Sequence, residues 1–402
     1  MTRFFWRHFF QLLLLFVAGA EWACFAWLAS VTGLVSFPFA AHILAPAFIY
    51  VLNRFVVARP IPSLGWRRTM RRAYTGFAFT SIFGSVVLLL VGALWLSMRV
   101  VFAVFEVLGA DMPVEALSGT ATGLATAGVL AVGAAMARGY GAGQRRVWIN
   151  RLELESERLD ARLDGLCLVQ ISDIHLGQYM DECAIARHVD RVSALAPDVI
   201  VITGDVTDGL DHAPRTFPAL GELRAPLGVF VILGNHDFYA GADRVEEALE
   251  RWTRFTVLRD RSARIERDGA HLHVIGLDDR GMDWARGVRH CLELDQLFSS
   301  LSQDAAIVLL SHRPDLFPQA ARLGIELVLA GHTHGGQFAI PWTKGRIATL
   351  AHFMTRYPRG TYRRGRSVLH VNLGLGVTGQ PVRVASPREI TCVTLRSRKH
   401  KA

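Results

Sequence analysis

Val199-Ile200-Val201-Ile202-Thr203-Gly204-Asp205-Val206-Thr207-Asp208 carries two instructions in one short stretch. Its first five residues are all β-branched, the composition of a strand buried on both faces. A glycine and two carboxylates follow, which belong at the strand's carboxyl end because its buried interior could not hold them. Four more segments repeat the pattern. Leu166–Ile171 leads to Asp173-Ile174-His175, and Val229–Leu233 to Gly234-Asn235-His236-Asp237. Ala306–Leu310 leads to Ser311-His312, and Leu327–Ala330 to Gly331-His332-Thr333-His334-Gly335-Gly336. Further strands are expected at Leu272–Leu277, Val368–Val371 and Ile390–Leu395, with helical periods around Cys183–Leu195 and Arg244–Trp252. This alternation predicts an α/β domain with largely buried sheets.

In such a sheet the carboxyl ends of the strands open into one crevice, so residues 32, 30, 77 and 20 positions apart along the chain can converge. The expected donors are Asp, His and one Asn, without thiolate. That set suits Mn, Fe or Zn rather than Cu(I) or a cluster. Seven ligands exceed the need of one tetrahedral ion and fit two ions sharing a carboxylate. Two divalent ions against Asp173, Asp205 and a bridging hydroxide leave the site net positive, which attracts a phosphate. Paired metals yield hydroxide at neutral pH and hold an ester for in-line displacement. Each piece alone is weak: D-x-H is usually a turn, and His271-Leu272-His273 reads as surface alternation. His188, His212, His290, His352 and His370 stand in no motif. The information lies in five pieces in order, each after a strand.

Outward from this core the composition divides the chain. Of 402 residues 51% are apolar, 20% are charged, and the mean hydropathy is +0.27. Residues 1–150 hold 12 Arg, no Lys and 4 acids, whereas the remainder holds 32 basic and 31 acidic groups. The basic excess therefore belongs to the front, and the nearly neutral second half excludes a polynucleotide stripe. Four apolar segments, Phe9–Val35, Phe37–Val57, Ala73–Met98 and Ala116–Ala137, each approach the roughly 20 residues that cross a bilayer. Arg flanks them at Arg3 and Arg7, between Arg54 and Arg72, and from Arg138 to Arg151. The Thr32–Ser36 loop is uncharged, and the other loop pairs Arg99 with Glu106, Asp111 and Glu115. The positive-inside rule then puts both termini in the cytoplasm. Gly119 and Gly123 would let helices approach closely, and Gly139, Gly141 and Gly143 read as a flexible exit linker. Five cysteines without a short-spaced pair point to a reducing compartment rather than a disulfide framework.

The ordered blocks D-x-H, G-D-x-x-D, G-N-H-D, H and G-H-x-H resemble the calcineurin-like metallophosphoesterase superfamily over about Leu166–Leu395. The sequences Val371-Asn372-Leu373-Gly374-Leu375-Gly376 and Pro387-Arg388-Glu389-Ile390-Thr391 resemble its bacterial membrane-associated subgroup, phosphodiesterases and UDP-2,3-diacylglucosamine hydrolases. The resemblance implies a four-layer αββα sandwich over 146–402, preceded by an all-α domain of four transmembrane helices and an exit linker over 1–145. It implies one metal on Asp173, His175, Asp205 and His334 and a second on Asp205, Asn235, His312 and His332. It further implies His236 as general acid or phosphate stabiliser, Asp237 as the group orienting its ring, and Asp208 behind the ligands.

Between Gln337 and Val368 aromatics alternate with Arg, from Trp342, Lys344 and Arg346 to Arg366, which suits a segment meeting acyl chains and anionic headgroups together. Arg356, Arg359 and Arg363 are its expected substrate contacts. The expected protein is a bacterial inner-membrane hydrolase that cleaves a phosphodiester or pyrophosphate of a lipid-linked substrate on the cytoplasmic side. UDP-2,3-diacylglucosamine is a specific case. The alternatives are a phosphodiesterase or nuclease acting on soluble nucleotides, and a non-catalytic membrane scaffold or sensor.

Overall fold

The computed structural model describes residues 2–31, 37–58, 65–177, 179–279, 291–341 and 347–398. These fall into two compact units, Met1–Arg138 and Gly139–Ala402. The first contains helices α1 (Thr2–Val31), α2 (Ala41–Ala58), α3 (Gly65–Val107) and most of α4 (Val114–Tyr140). Three segments, Gln11–Val31, Gly65–Val107 and Val114–Arg145, are long and apolar enough to cross a membrane, whereas the apolar part of α2, Ala41–Val56, is shorter. Helix α3 extends beyond the expected apolar run at both ends. Arg67 and Arg71 thus lie on its first turns, and Arg99 pairs with Glu106 at 3.1 Å on its last. Arg59 and Thr32–Ser36 lie outside the described residues. Inside this unit Asn53 donates to Glu21 Oε1 at 2.9 Å, and Tyr74 donates to Asn53 Oδ1 at 2.5 Å, joining α1, α2 and α3. The close approaches fall elsewhere than Gly119 and Gly123, whose surroundings are open. A Cβ at Gly128 would lie 2.5 Å from Val87, and one at Gly84 2.8 Å from Cys24 Sγ.

The described residues of the second unit form fourteen strands in chain order: β1 (Val147–Ser156), β2 (Cys167–Ile171), β3 (Val199–Thr203), β4 (Val229–Ile232), β5 (Thr256–Val257), β6 (Arg261–Arg267), β7 (Ala270–Leu277), β8 (Ile307–Ser311), β9 (Leu327–Ala330), β10 (Ala339–Pro341), β11 (Ile347–Thr349), β12 (Gly360–Arg364), β13 (Ser367–Val371) and β14 (Arg388–Ser397). One six-stranded sheet has the order β1-β14-β2-β3-β4-β5 and the other β12-β13-β9-β8-β7-β6, while β10 and β11 form a separate ribbon. The two-residue period of a strand explains the layering. Val199 and Val201 meet Val308, Leu310, Leu327 and Leu329 in a core between the sheets. Ile200 and Ile202 face the other way, onto Val189, Phe217 and Leu249 of the helices covering the first sheet. Ile307, Leu309 and Val328 pack on Phe317, Ala320 and Leu294 of helices beyond the second. Strands buried on both faces are continuously apolar, so these central ones are the most legible.

The expected exit linker is ordered. Gly139 accepts from the Arg383 N–H at 3.2 Å, and the Gln144 carbonyl accepts from Arg388 Nε at 2.8 Å. A Cβ at Gly139 would fall 2.7 Å from Val384, so this glycine serves close packing rather than looseness.

Candidate metal centre

β2, β3 and β4 run parallel, as do β7, β8 and β9, which sends the loops after five strands to one edge. There the chain turns abruptly. Asp173, His175, Asp205, His332 and His334 all have φ between 49° and 68°, the left-handed region that side chains with a Cβ rarely enter. Each such residue costs about 1–3 kcal/mol, held by the surrounding structure. Gly204, at φ 87°, shows how little room remains: a Cβ there would lie 2.5 Å from His312 Nδ1.

Six of the seven sequence-nominated donors converge in two adjoining clusters. Asp173 Oδ1 lies 3.5 Å from His334 Nε2, which lies 3.0 Å from His175 Nε2. Asp205 Oδ2 is 3.6 Å from His175 Nε2 and 3.3 Å from His312 Nε2, placing one carboxylate between two groups of rings. His312 Nε2 is in turn 3.3 Å from His332 Nδ1. Asp173, His175 and His334 form one cluster able to hold a cation, and Asp205, His312 and His332 another. Asn235 is buried at the start of the helix Asn235–Ala240.

Hydrogen-bond accounting tests whether these residues fit cations. Thr203's carbonyl can only accept, so His312 donates through Nδ1 at 2.8 Å and turns its Nε2 towards Asp205. His175 likewise donates Nδ1 to Asp208 Oδ1 at 2.6 Å and directs Nε2 at the His334 ring and Asp205. Ring nitrogens facing a carboxylate and one another need positive charge between them, a proton or a cation. Three further buried acceptor-capable atoms, Asn235 Oδ1, His332 Nε2 and His334 Nδ1, have no hydrogen-bond partner. Buried polar atoms are rarely left so. The donor set, all Asp, His and Asn, therefore fits hard-to-borderline divalent ions.

The same carboxylates bias the rings. Burial opposes an imidazolium, yet Asp208 and then Asp205 push His175 up to about 9. Burial likewise opposes charge on His312, but Asp205 pushes it up to about 10. His332 and His334 go far below the usual range, through burial first and then through the neighbouring His312 and His175 rings.

One expected contact is corrected. Asp237 does not orient His236. It is fully buried and accepts from three backbone amides, Gly234 at 2.9 Å, Thr207 at 3.0 Å and Val206 at 3.1 Å. Lying at the third position of its helix, it folds back over the N-terminal amides, as an acid does there. Asp208 takes the orienting place: its Oδ1 bonds His236 Nδ1 at 2.9 Å as well as His175. Beside Asp208 a cavity of about 320 Å³ opens, lined by Tyr179, His212 and Val377 among others.

Sequence reasoning passed over Arg383. Fully buried, it donates Nη2 to the carbonyls of Leu373, Gly374 and Gly376 at 2.9, 3.0 and 2.6 Å and Nη1 to Ser386 and Pro387. The loop it gathers supports the centre, because Gly376 N donates to the Asp173 carbonyl and Ser386 Oγ to that of His334. No local pattern around Pro381-Val382-Arg383 announces this.

The three expected substrate arginines do not form one patch. Arg359 donates to the Ala385 carbonyl at 3.3 Å and lies 3.6 Å from where a Gly335 Cβ would sit, next to His334. Arg356 lines a different cleft, together with Arg364. Arg363 is adjacent to Arg364 on β12, and successive strand residues point to opposite faces. Trp342, Lys344 and Arg346 lie outside the described residues. His273, expected on the surface, is 9% exposed on β7, with its ring 5.1 Å from His271.

Comparison with known proteins agrees with this geometry. Residues 168–336 match the sequence family of calcineurin-like phosphoesterases. A Bacillus subtilis metallophosphoesterase, YkuE, is 32% identical over 279 residues, covering 67% of this chain and 94% of that protein. The chain belongs to the calcineurin-like metallophosphoesterases, metal-dependent hydrolases built on a dimetal centre. A zebrafish protein named transmembrane protein with metallophosphoesterase domain is 33% identical over 252 residues, which is 61% of this chain but 56% of the relative. The chain thus spans little more than half of that protein. A Chlamydia trachomatis protein named UDP-2,3-diacylglucosamine pyrophosphatase LpxG is 27% identical over 310 residues, covering 61% of this chain and 91% of that one.

Proposed function

We propose that this chain is a membrane-anchored binuclear-metal phosphoesterase that hydrolyses a phosphodiester or pyrophosphate bond of a lipid-linked substrate. The observation that carries the reading is two adjoining clusters of six Asp and His donors, five of them buried, with three orphaned acceptor-capable atoms on Asn235, His332 and His334. Asp173, His175, Asp205 and His334 would hold one cation, and Asp205, Asn235, His312 and His332 the other. A bound metal pair supplies Lewis-acid polarisation of the phosphoryl group and acidifies a water into a nucleophile at neutral pH. His236, held through Nδ1 by Asp208 and about 30% exposed, keeps Nε2 free to donate to the leaving-group oxygen. Asp237 fixes the turn that carries Asn235 and His236, and Arg359, beside His334, meets a substrate anion.

A lipid-linked substrate is supported by the apolar helices and by the relative named for UDP-2,3-diacylglucosamine, which would be a specific case here. In this reading residues 1–145 cross a bacterial inner membrane four times, the shorter helix Ala41–Val56 included, and residues 146–402 work in the cytoplasm. The test compares Mn-loaded wild type with His236→Ala in detergent on lipid-linked pyrophosphates, phospholipids and soluble diesters. A preference for lipid-linked pyrophosphates, with kcat down about 10²–10⁴-fold in the variant, is expected. Equal turnover of soluble diesters would overturn the substrate class. A reporter fused after Ala402 that behaves as periplasmic would overturn the orientation.

A further inference from the structure

A second cleft, of about 630 Å³, lies where the segment Leu350–Tyr357 passes the helix Phe317–Leu323. Arg322 from that helix, Arg356 from the segment and Arg364 from β12 line it. Its one carboxylate, Asp315, is already engaged, accepting from Thr355 Oγ1 at 2.8 Å. Among the described residues none of the three guanidiniums has a carboxylate partner. Three unpaired forks around one hollow suit a phosphate, each fork able to take a pair of its tetrahedrally arranged oxygens.

The lip of the cleft has the opposite character. Leu350–Phe353 is a turn of 3₁₀-helix, in which residues three apart eclipse one another. Leu350 and Phe353, 56% and 90% exposed, therefore form one apolar prong beside the basic hollow. A soluble phosphate would use the arginines and gain nothing from the prong. A phospholipid at a bilayer surface uses both, headgroup in the hollow and prong in the interfacial layer. The chain itself carries three segments able to cross a membrane, so such a surface is tethered to it.

We propose that this cleft and prong dock the catalytic unit on anionic phospholipid. The inference is independent of the hydrolytic reading, since its test measures backbone protection instead of turnover. Full-length protein would be placed in phosphatidylcholine nanodiscs with and without phosphatidylglycerol, and hydrogen exchange followed over residues 349–357. Exchange is expected to slow only with phosphatidylglycerol. Arg322→Gln, Arg356→Gln and Arg364→Gln should each weaken that preference about five-fold, and Phe353→Ser should reduce the slowing seen with phosphatidylglycerol. Thermal unfolding of each variant checks that the fold is retained, and the wild-type comparison decides even if a variant unfolds. Slowing by inorganic phosphate alone in neutral detergent would reassign the hollow to a soluble anion. Absence of slowing under every condition would overturn the proposal outright.

Discussion

Two buried polar clusters in the second unit are built from the same residue types and differ in one respect. Around Glu389 every polar atom is answered. Oε1 accepts from Asn150, Thr391 and His370 at 2.8, 3.0 and 3.1 Å, and Oε2 accepts from Leu373 N at 3.0 Å. His370 uses its second nitrogen on Thr361, and Asn372 accepts from Gly374 N. Around Asp205 the donors other than His332 are as deeply buried, yet Asn235, His332 and His334 keep atoms with no protein partner. The closed cluster is a structural joint between β13 and β14. The open one has the unmet valence of a binding site. A histidine beside a carboxylate means little until both ring nitrogens are accounted for.

The comparison breaks most readily by removing divalent ions. Chelation should abolish turnover and lower the melting temperature, because a ligand at a hundred times its Kd stabilises by about 2.7 kcal/mol. Unchanged turnover and melting would mean that the Asp205 cluster is merely an ill-packed core. Glu389→Ala should act the other way round. Leaving Leu373 N and Asn150 Nδ2 without their acceptor costs about 3 kcal/mol, read as a lower thermal midpoint with or without Mn. Asp208→Asn sharpens the boundary between the two behaviours. It should reduce metal affinity or kcat about 10–100-fold while the midpoint changes little.

The last test concerns a lone buried histidine whose effect appears only in acid. Burial first, and then Arg388 and Arg191, push His188 down to about 3, so it is neutral when folded. An unfolded histidine titrates near 6.5. Its folded pKa is depressed, so the stability linked to the neutral ring is fully present above about pH 6.5. That stability is lost towards pH 3 at up to about 1.4 kcal/mol per pH unit. His188→Leu should flatten the acid limb of a melting-temperature profile by one proton's slope; an unaltered limb would show that His188 is not the group responsible.

The eight central strands were legible because burial on both faces gives each an apolar run without charge, even where, as at Arg388 and Glu389 of β14, the strand's end carries it. β6 was not, since Arg261, Arg264, Glu266 and Arg267 line an edge strand that only Ile265 anchors deeply. The donor set was legible from its order after strand ends. The partner of His236 was not: Asp208 and Asp237 both adjoin the motifs, and only the course of the backbone decides between them. A signal did exist, since an acid three residues after Gly234 at a helix start is a capping pattern. Arg383 and the Arg322–Arg356–Arg364 hollow had none, because they join segments far apart in the chain.

The left-handed turns at Asp173, His175, Asp205, His332 and His334 also bear on how such a protein would decay. Glycine at any of them would relax the main chain while deleting a donor. A lineage released from hydrolysis should therefore drift towards glycine at these five positions and keep its sheets, its obsolescence visible first where its ancestor was most contorted.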